Sequence, residues 1–292
     1  MKITDILEKY KTTLSFEVFP PKTSDKYESV EHATAQIAKM RPDFMSVTYG
    51  AGGGTSKFTV DIAKSLKNNC GVTPLAHLTC VSSDRDTVRA RLDDLEAAGI
   101  ENILALRGDV PADAPSRDEW HYTHANELMQ EISARGSFCI GGACYPEGHP
   151  ESKNLDEDIE NLKLKLDAGC SFLTTQMFFD NYNFYRFMEK ARASGIYVPI
   201  IAGIMPITNA KSIRRSCELS GTEMPRKFLN IAGRYGDDPE SMLEAGIVYA
   251  EAQIIDLFAN GIKHVHVYTM NKPEVAARIR QDLSHIIPVH EQ

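Results

Sequence analysis

The chain has 292 residues and a formal net charge of −8, a length that suits one large barrel or two small domains. The acidic balance, with no basic cluster interleaved with aromatics, argues against a nucleic-acid partner. No apolar run nears the ~20 residues that span a bilayer, Met1-Lys2-Ile3-Thr4-Asp5 lacks a signal peptide's apolar core, and the six cysteines show no Cys-x-x-Cys, so we expect a cytoplasmic protein with reduced thiols, no membrane association and no metal site.

Residues 13–19 read as a first strand that runs into the rigid Pro20-Pro21 turn. Phe16 and Val18 share one face, and Ser15, Glu17 and Phe19 the other. A carboxylate buried there loses solvation, so its pKa is expected to rise toward that of a general acid; the alternative is a strand-end glutamate pointing into water. Further β-branched, apolar runs follow at 44–49, 73–80, 102–107, 138–145, 172–179, 198–205 and 264–270. Between them lie helix signals. Ser24 or Asp25 opens one through Met40, Thr55-Ser56 precede another, and Ser83 or Asp84 starts a third that Gly99 stops. Thr123 leads into Leu128 and Ile132, Asn154 opens a helix ended by Gly169, and Asn181 leads to Gly195. Helical patterns also cover 210–219, 240–260 and 273–285. Strand then helix, eight times, predicts an α/β fold, a (β/α)₈ TIM barrel, with a single domain over residues 1–292 and extra helices before the last strand.

Chemistry in such barrels sits at the C-terminal strand ends. Polar groups gather there: Glu17, Thr48-Tyr49, His77, Arg107-Asp109, Tyr145, Gln176 and Tyr268. Their convergence favours Glu17 as a site residue. Thr48-Tyr49-Gly50-Ala51-Gly52-Gly53-Gly54-Thr55 does not meet a dinucleotide fingerprint and reads equally as a glycine turn or a ligand loop. Arg107 suits phosphate or carboxylate, or else an internal ion pair. Tyr145-Pro146-Glu147-Gly148-His149-Pro150 is a stiff loop that presents Tyr145 and His149. Asp158, Asn161 and Lys165 fall three and four apart on one helix face, as site residues or a solvated ion pair. Gln176 in a buried strand needs partners and offers donor and acceptor to a heterocycle edge. His264-x-His266-x-Tyr268 puts three polar groups on one side of the last strand, and a metal-dependent barrel hydrolase is the reading that pair leaves open.

With those residues in view, the sequence resembles the methylenetetrahydrofolate reductase family along nearly its whole length. The likeness runs through Ser15-Phe16-Glu17-Val18-Phe19-Pro20-Pro21, Val47-Thr48-Tyr49-Gly50-Ala51, His77-Leu78-Thr79-Cys80 and Ala105-Leu106-Arg107-Gly108-Asp109. It continues through Tyr145–Pro150, Thr175-Gln176-Met177-Phe178-Phe179-Asp180, Gly203-Ile204-Met205-Pro206 and Tyr268-Thr269-Met270-Asn271. The resemblance implies an oxidoreductase that uses FAD and NADH or NADPH to reduce 5,10-methylenetetrahydrofolate to 5-methyltetrahydrofolate by ping-pong hydride transfer, as a homo-oligomer. It implies Glu17 as general acid and Asp109 as a catalytic carboxylate contacting pterin and flavin. Gln176, Tyr268 and Lys272 would bind folate, with Lys272 where arginine is frequent. Thr48, His77, Leu106, Arg107, Asp109, Ala125, Tyr145, His149, Asp158, Asn161 and Lys165 would bind FAD. The helix after Pro206 departs from the pattern: Ser216 stands where some members carry an aromatic against the nicotinamide cofactor. Longer members add a regulatory domain binding S-adenosylmethionine, for which 292 residues leave no room. Two other readings are a different FAD barrel resembling proline dehydrogenase, and a folate-binding protein without redox activity.

Overall fold

In the computed structural model, which describes residues 1–49, 56–81, 83–110 and 116–291, the eight predicted strands form and close on themselves. They are β1 (Thr13–Val18), β2 (Met45–Val47), β3 (Pro74–Thr79), β4 (Asn102–Leu106), β5 (Cys139–Cys144), β6 (Phe172–Thr175), β7 (Ile200–Ile204) and β8 (His264–Tyr268). Their order round the barrel is the order in the chain, all pairs are parallel, and β1 meets β8 with Ser15 opposite His266 and Glu17 opposite Tyr268. The predicted strands are longer than the observed ones at their C-terminal ends. Those trailing residues, Gln176 among them, leave the ladder to build the barrel mouth.

The helices are α1 (Ile3–Lys9), α2 (Tyr27–Ala38), α3 (Ser56–Asn68), α4 (Arg85–Ala97), α5 (Ala125–Ser133), α6 (Leu155–Asp167), α7 (Asn181–Ala193), α8 (Ala210–Ser220), α9 (Arg226–Tyr235), α10 (Pro239–Ala259) and α11 (Pro273–Asp282). Side-chain caps start several of them. Asp84 accepts from Thr87 N at 2.7 Å, and Asn154 from Glu157 N at 3.0 Å. The α7 cap is Asp180 rather than Asn181, whose amide instead reaches Gln253 O and Asp256 on α10. At α2 a 3₁₀ turn, Ser24–Lys26, precedes the helix in place of a side-chain cap. No helix of the described residues is long and apolar enough to cross a membrane, and all six cysteines are free.

Strand alternation divides the core. Outward residues such as Phe16, Val47, Ile103 and Val267 pack under the helices. Inward residues Phe44, Leu75, Leu104, Cys139, Phe172 and Ile201 fill the lower lumen, and Ile3, Ile6 and Leu7 of α1 close it from below. Above the β6 and β7 ends, Met177, Phe179, Ile207, Ile213 and Phe228 tie α8, α9 and α10 to the rim. The upper lumen is left to polar side chains.

Between α10 and α11, Glu251 is buried with an unpartnered Oε1. Burial, then the nearby Asp282 carboxylate, pushes its pKa up to about 7. A carboxyl whose folded pKa exceeds its unfolded one costs stability as pH rises from the unfolded value through about 7. Glu251→Gln is therefore expected to raise the melting temperature at pH 8 by ~2 °C, on the order of 1 kcal/mol after allowance for solvent screening, with no gain at pH 4. Thermal melts at the two pH values check this.

Candidate active site

Glu17, at the upper end of β1, is the centre of the lumen's polar cluster. Its side chain is 18% exposed. Every described polar contact uses one oxygen. Ser46 Oγ of β2 donates to Oε2 at 3.2 Å, His77 Nε2 of β3 lies 3.5 Å away, and His266 Nε2 of β8 lies 3.8 Å away. Burial pushes the carboxyl's pKa up, but hydrogen bonding and charge from His266, His77 and Ser46 outweigh it and leave it below the ordinary value. This corrects the expectation of a raised pKa. Desolvation acts as foreseen, yet the strands on either side of β1 bring donors that stabilise the anion. His77 is itself driven down to about 4 by burial, so near neutrality it faces Glu17 as a neutral ring.

The loop after β8 fixes the exit of β1. Thr269 Oγ1 donates to Glu17 O at 2.6 Å, and the Asn271 amide brackets Phe19, accepting from its N–H at 2.9 Å and donating to its carbonyl at 2.8 Å. Met270 and Asn271 hold positive φ (54° and 55°) to make that clamp, a strained pair beside the acid. Next to it, Lys272 Nζ donates to Thr208 Oγ1 at 2.7 Å.

Across the mouth, Tyr268 spans the lumen and donates to Thr175 O at 2.5 Å. Gly203 of β7 allows this. A Cβ there would stand 2.4 Å from both Thr175 O and Tyr268 OH. Gln176 follows directly: its N–H donates to Cys144 O at 2.7 Å, and its Oε1 accepts from Met177 N at 2.9 Å.

The third side is built by β4, β5 and α6. Leu106 is half-buried at the end of β4, and Arg107 pairs with Glu151 at 2.6 Å, which also holds Arg117. The ion-pair alternative is thus what the protein alone adopts at Arg107. Asp109 is exposed beyond it. Tyr145 and His149 meet edge to face at 4.7 Å. Burial raises the Tyr145 pKa to about 12 and lowers that of His149. Asp158 is buried and raised by burial, with Lys165 opposing; Ser152 donates to its Oδ1 at 3.2 Å. Lys165 Nζ donates to Ala143 O at 2.7 Å, and burial lowers its pKa. Asn161 is exposed, so the three do not share one environment despite their spacing. Ala125 is buried at the start of α5, and Thr48 is half-buried, its carbonyl accepting from Thr59 at 2.9 Å. Gly50–Thr55, the glycine stretch, lie outside the described residues.

Three participants went unassigned at the level of sequence: Ser46, Ser15 and His266. All are inward by strand parity, the signal available for them. His264 and His266 face different partners, Thr13 for the first and Ser15 and Ser46 for the second. His264 Nδ1 bonds Thr13 at 3.0 Å, and among the described residues no group of three or more His, Cys, Asp or Glu is placed to hold a metal ion.

Comparison with known proteins agrees with this architecture. The profile described as methylenetetrahydrofolate reductase matches residues 2–284. The 5,10-methylenetetrahydrofolate reductase of Pectobacterium carotovorum subsp. carotovorum is 35% identical over 266 residues, covering 91% of this chain and 88% of that one. The Escherichia coli protein of the same name is 34% identical with the same coverage. Methylenetetrahydrofolate reductase 1 of Schizosaccharomyces pombe is 38% identical over 97% of this chain but 48% of its own length. Among solved structures, an uncharacterized Clostridium thermocellum protein that binds two copies of 5-methyl-5,6,7,8-tetrahydrofolic acid superposes with a TM-score of 0.71 at 14% identity, over 98% of this chain and all of that one, a likeness of fold. A match of this extent, on a closed barrel with Glu17 set in its mouth, means that the chain belongs to the methylenetetrahydrofolate reductase family.

Proposed function

We propose that this protein reduces 5,10-methylenetetrahydrofolate to 5-methyltetrahydrofolate with NADH or NADPH, using FAD held in the barrel mouth. The observation that carries the reading is the polar barrel mouth: the Glu17 carboxyl in the lumen, and buried polar atoms with no hydrogen-bond partner among the described residues, namely His77 Nε2 and Thr174 Oγ1 of the barrel strands and Asp158 Oδ2 of α6. Each such atom costs roughly 1–3 kcal/mol unless a ligand meets it. Donors and acceptors mixed with flanking cations fit a flavin and its pyrophosphate. Thr48, His77, Leu106, Arg107, Asp109, Ala125, Tyr145, His149, Asp158, Asn161 and Lys165 would hold it, with Arg107 and Lys165 supplying positive charge. Bound there, FAD supplies a carrier that takes hydride from the nicotinamide in one half-reaction and gives it to the folate in the next.

The protein's own part is proton placement and recognition. Glu17 donates its proton to N10 of the substrate; the bond from N10 to the methylene carbon breaks, and the iminium left at N5 accepts hydride. The carboxylate is ionised in the protein alone, so the acid form arises as ring systems cover the mouth and exclude water, which penalises the anion. Asp109 offers a negative charge to the cationic iminium. Gln176 reads the pterin edge, Tyr268 lines the folate side, and Lys272 offers its ammonium to the acidic tail. Product detection tests the reading: FAD-loaded protein given NADH and methylenetetrahydrofolate without oxygen is expected to yield 5-methyltetrahydrofolate by mass spectrometry, and none would form if the reading were wrong. Gln176→Ala is expected to weaken folate binding about tenfold while leaving FAD affinity within about twofold, as loss of one or two ligand hydrogen bonds requires. Titration of each ligand checks this.

A further inference from the structure

We propose that His266 is a positioning residue for the acid: it orients Ser46 so that the hydroxyl donates to Oε2 of Glu17, leaving Oε1 as the oxygen that carries and delivers the proton. The inference rests on the reading of Glu17 as the acid.

One hydroxyl hydrogen decides the direction of the chain. Ser46 Oγ lies 3.2 Å from Glu17 Oε2 and 3.0 Å from His266 Nε2. A carboxylate only accepts, so the single Ser46 proton goes to Glu17, and Ser46 must accept from His266. His266 therefore carries its proton on Nε2. Its Nδ1 faces Ser15 Oγ at 2.7 Å, a hydroxyl whose single proton has a second acceptor in Val265 O at 3.2 Å. The chain runs one way, from His266 through Ser46 to Glu17.

The surroundings hold it in that direction. Ser15 and Ser46 are fully buried and His266 is 2% exposed, so no bulk water competes. Phe44 stacks on the imidazole at 5.8 Å and 8°, and Tyr268 abuts it edge-on at 5.5 Å. A ring turned over would present carbon to both serines. The other groups facing Glu17 do not replace this donor. Among the described residues His77 Nε2 has no hydrogen-bond partner, and the Tyr268 hydroxyl is committed to Thr175 O. All described contacts fall on Oε2. In the transfer the Oε1–H bond breaks, the N10–H bond forms, and the electron pair of the broken C–N10 bond stays on N10.

The test needs neither cofactor nor turnover. In ligand-free protein carrying ¹³C-labelled glutamate, the Glu17 side-chain signal, assigned by its loss in Glu17→Gln, is followed against pH. Ser46→Ala removes the donor, and His266→Phe keeps the stacked ring but removes the nitrogen that orients it. Each is expected to raise the Glu17 midpoint by about one pH unit, a tenfold change in ionisation. His266→Gln, whose amide can donate to Ser46, should bring the midpoint back toward wild type. ¹⁵N-labelled histidine should show His266 protonated on Nε2. An unmoved midpoint in a folded His266→Phe, or a proton on Nδ1 alone, overturns the proposal. A midpoint that moves as expected in a protein that makes no methyltetrahydrofolate supports the chain and removes the acid reading. Product formed with the midpoint unmoved does the reverse.

Discussion

Glu17→Gln is expected to lower folate reduction by about 10²–10⁴-fold while NADH oxidation against a quinone stays within a fewfold of wild type. Glutamine keeps the shape and can still accept from Ser46, but it has no proton to give to N10. The reductive half-reaction opens no ring and needs no acid, so the two activities should separate. Equal loss of both would remove Glu17 from the acid role. The same variant has a stability signature. The folded pKa of Glu17 lies below its ordinary value, so the ionised form contributes stability above the unfolded pKa, and that contribution is lost as pH falls through the folded one. Glu17→Gln should lack that acid-side loss.

Gly203→Ala is the substitution expected to do most harm to the scaffold. Its Cβ would stand 2.4 Å from Thr175 O, a backbone atom of β6 that cannot swing aside, and 2.4 Å from Tyr268 OH. Overpacking of this kind costs roughly 1–3 kcal/mol, and the Tyr268–Thr175 hydrogen bond would be lost with it. The melting temperature should fall by ~4–10 °C. Tyr268→Phe removes only the hydroxyl. Combined with Gly203→Ala it should cost less than the sum of the two, since both disturb one contact. Strict additivity would mean that the tyrosine does not depend on the glycine.

Much of this was legible in sequence because parallel strands buried on both faces read as apolar runs, and Asp84, Asn154, Gly99 and Gly169 punctuate the helices between them. The helix α1 was not legible. Its seven residues begin at Ile3, Lys2 before them makes no side-chain cap, and Ile3, Ile6 and Leu7 are too few to establish a period. At α9 the apolar signal was present, with Phe228, Ile231, Ala232 and Tyr235 at helical spacing, although only Phe228 is buried. The direction of the Glu17 shift was hidden for another reason. Burial of the carboxyl follows from its own strand, but Ser46 is 29 residues away along the chain and His266 a further 220, and only barrel closure brings them together. Of the residues named by resemblance, Glu17, His77 and Tyr268 point into the lumen, while Asp109 and Asn161 are exposed.

The most direct test of a flavin-dependent folate reductase is the visible spectrum of FAD-supplemented protein under anaerobic conditions. We expect flavin bands that bleach on addition of NADH or NADPH and return on addition of methylenetetrahydrofolate. A protein that takes up no FAD, or bound flavin that bleaches and is not restored by the folate, would contradict the account.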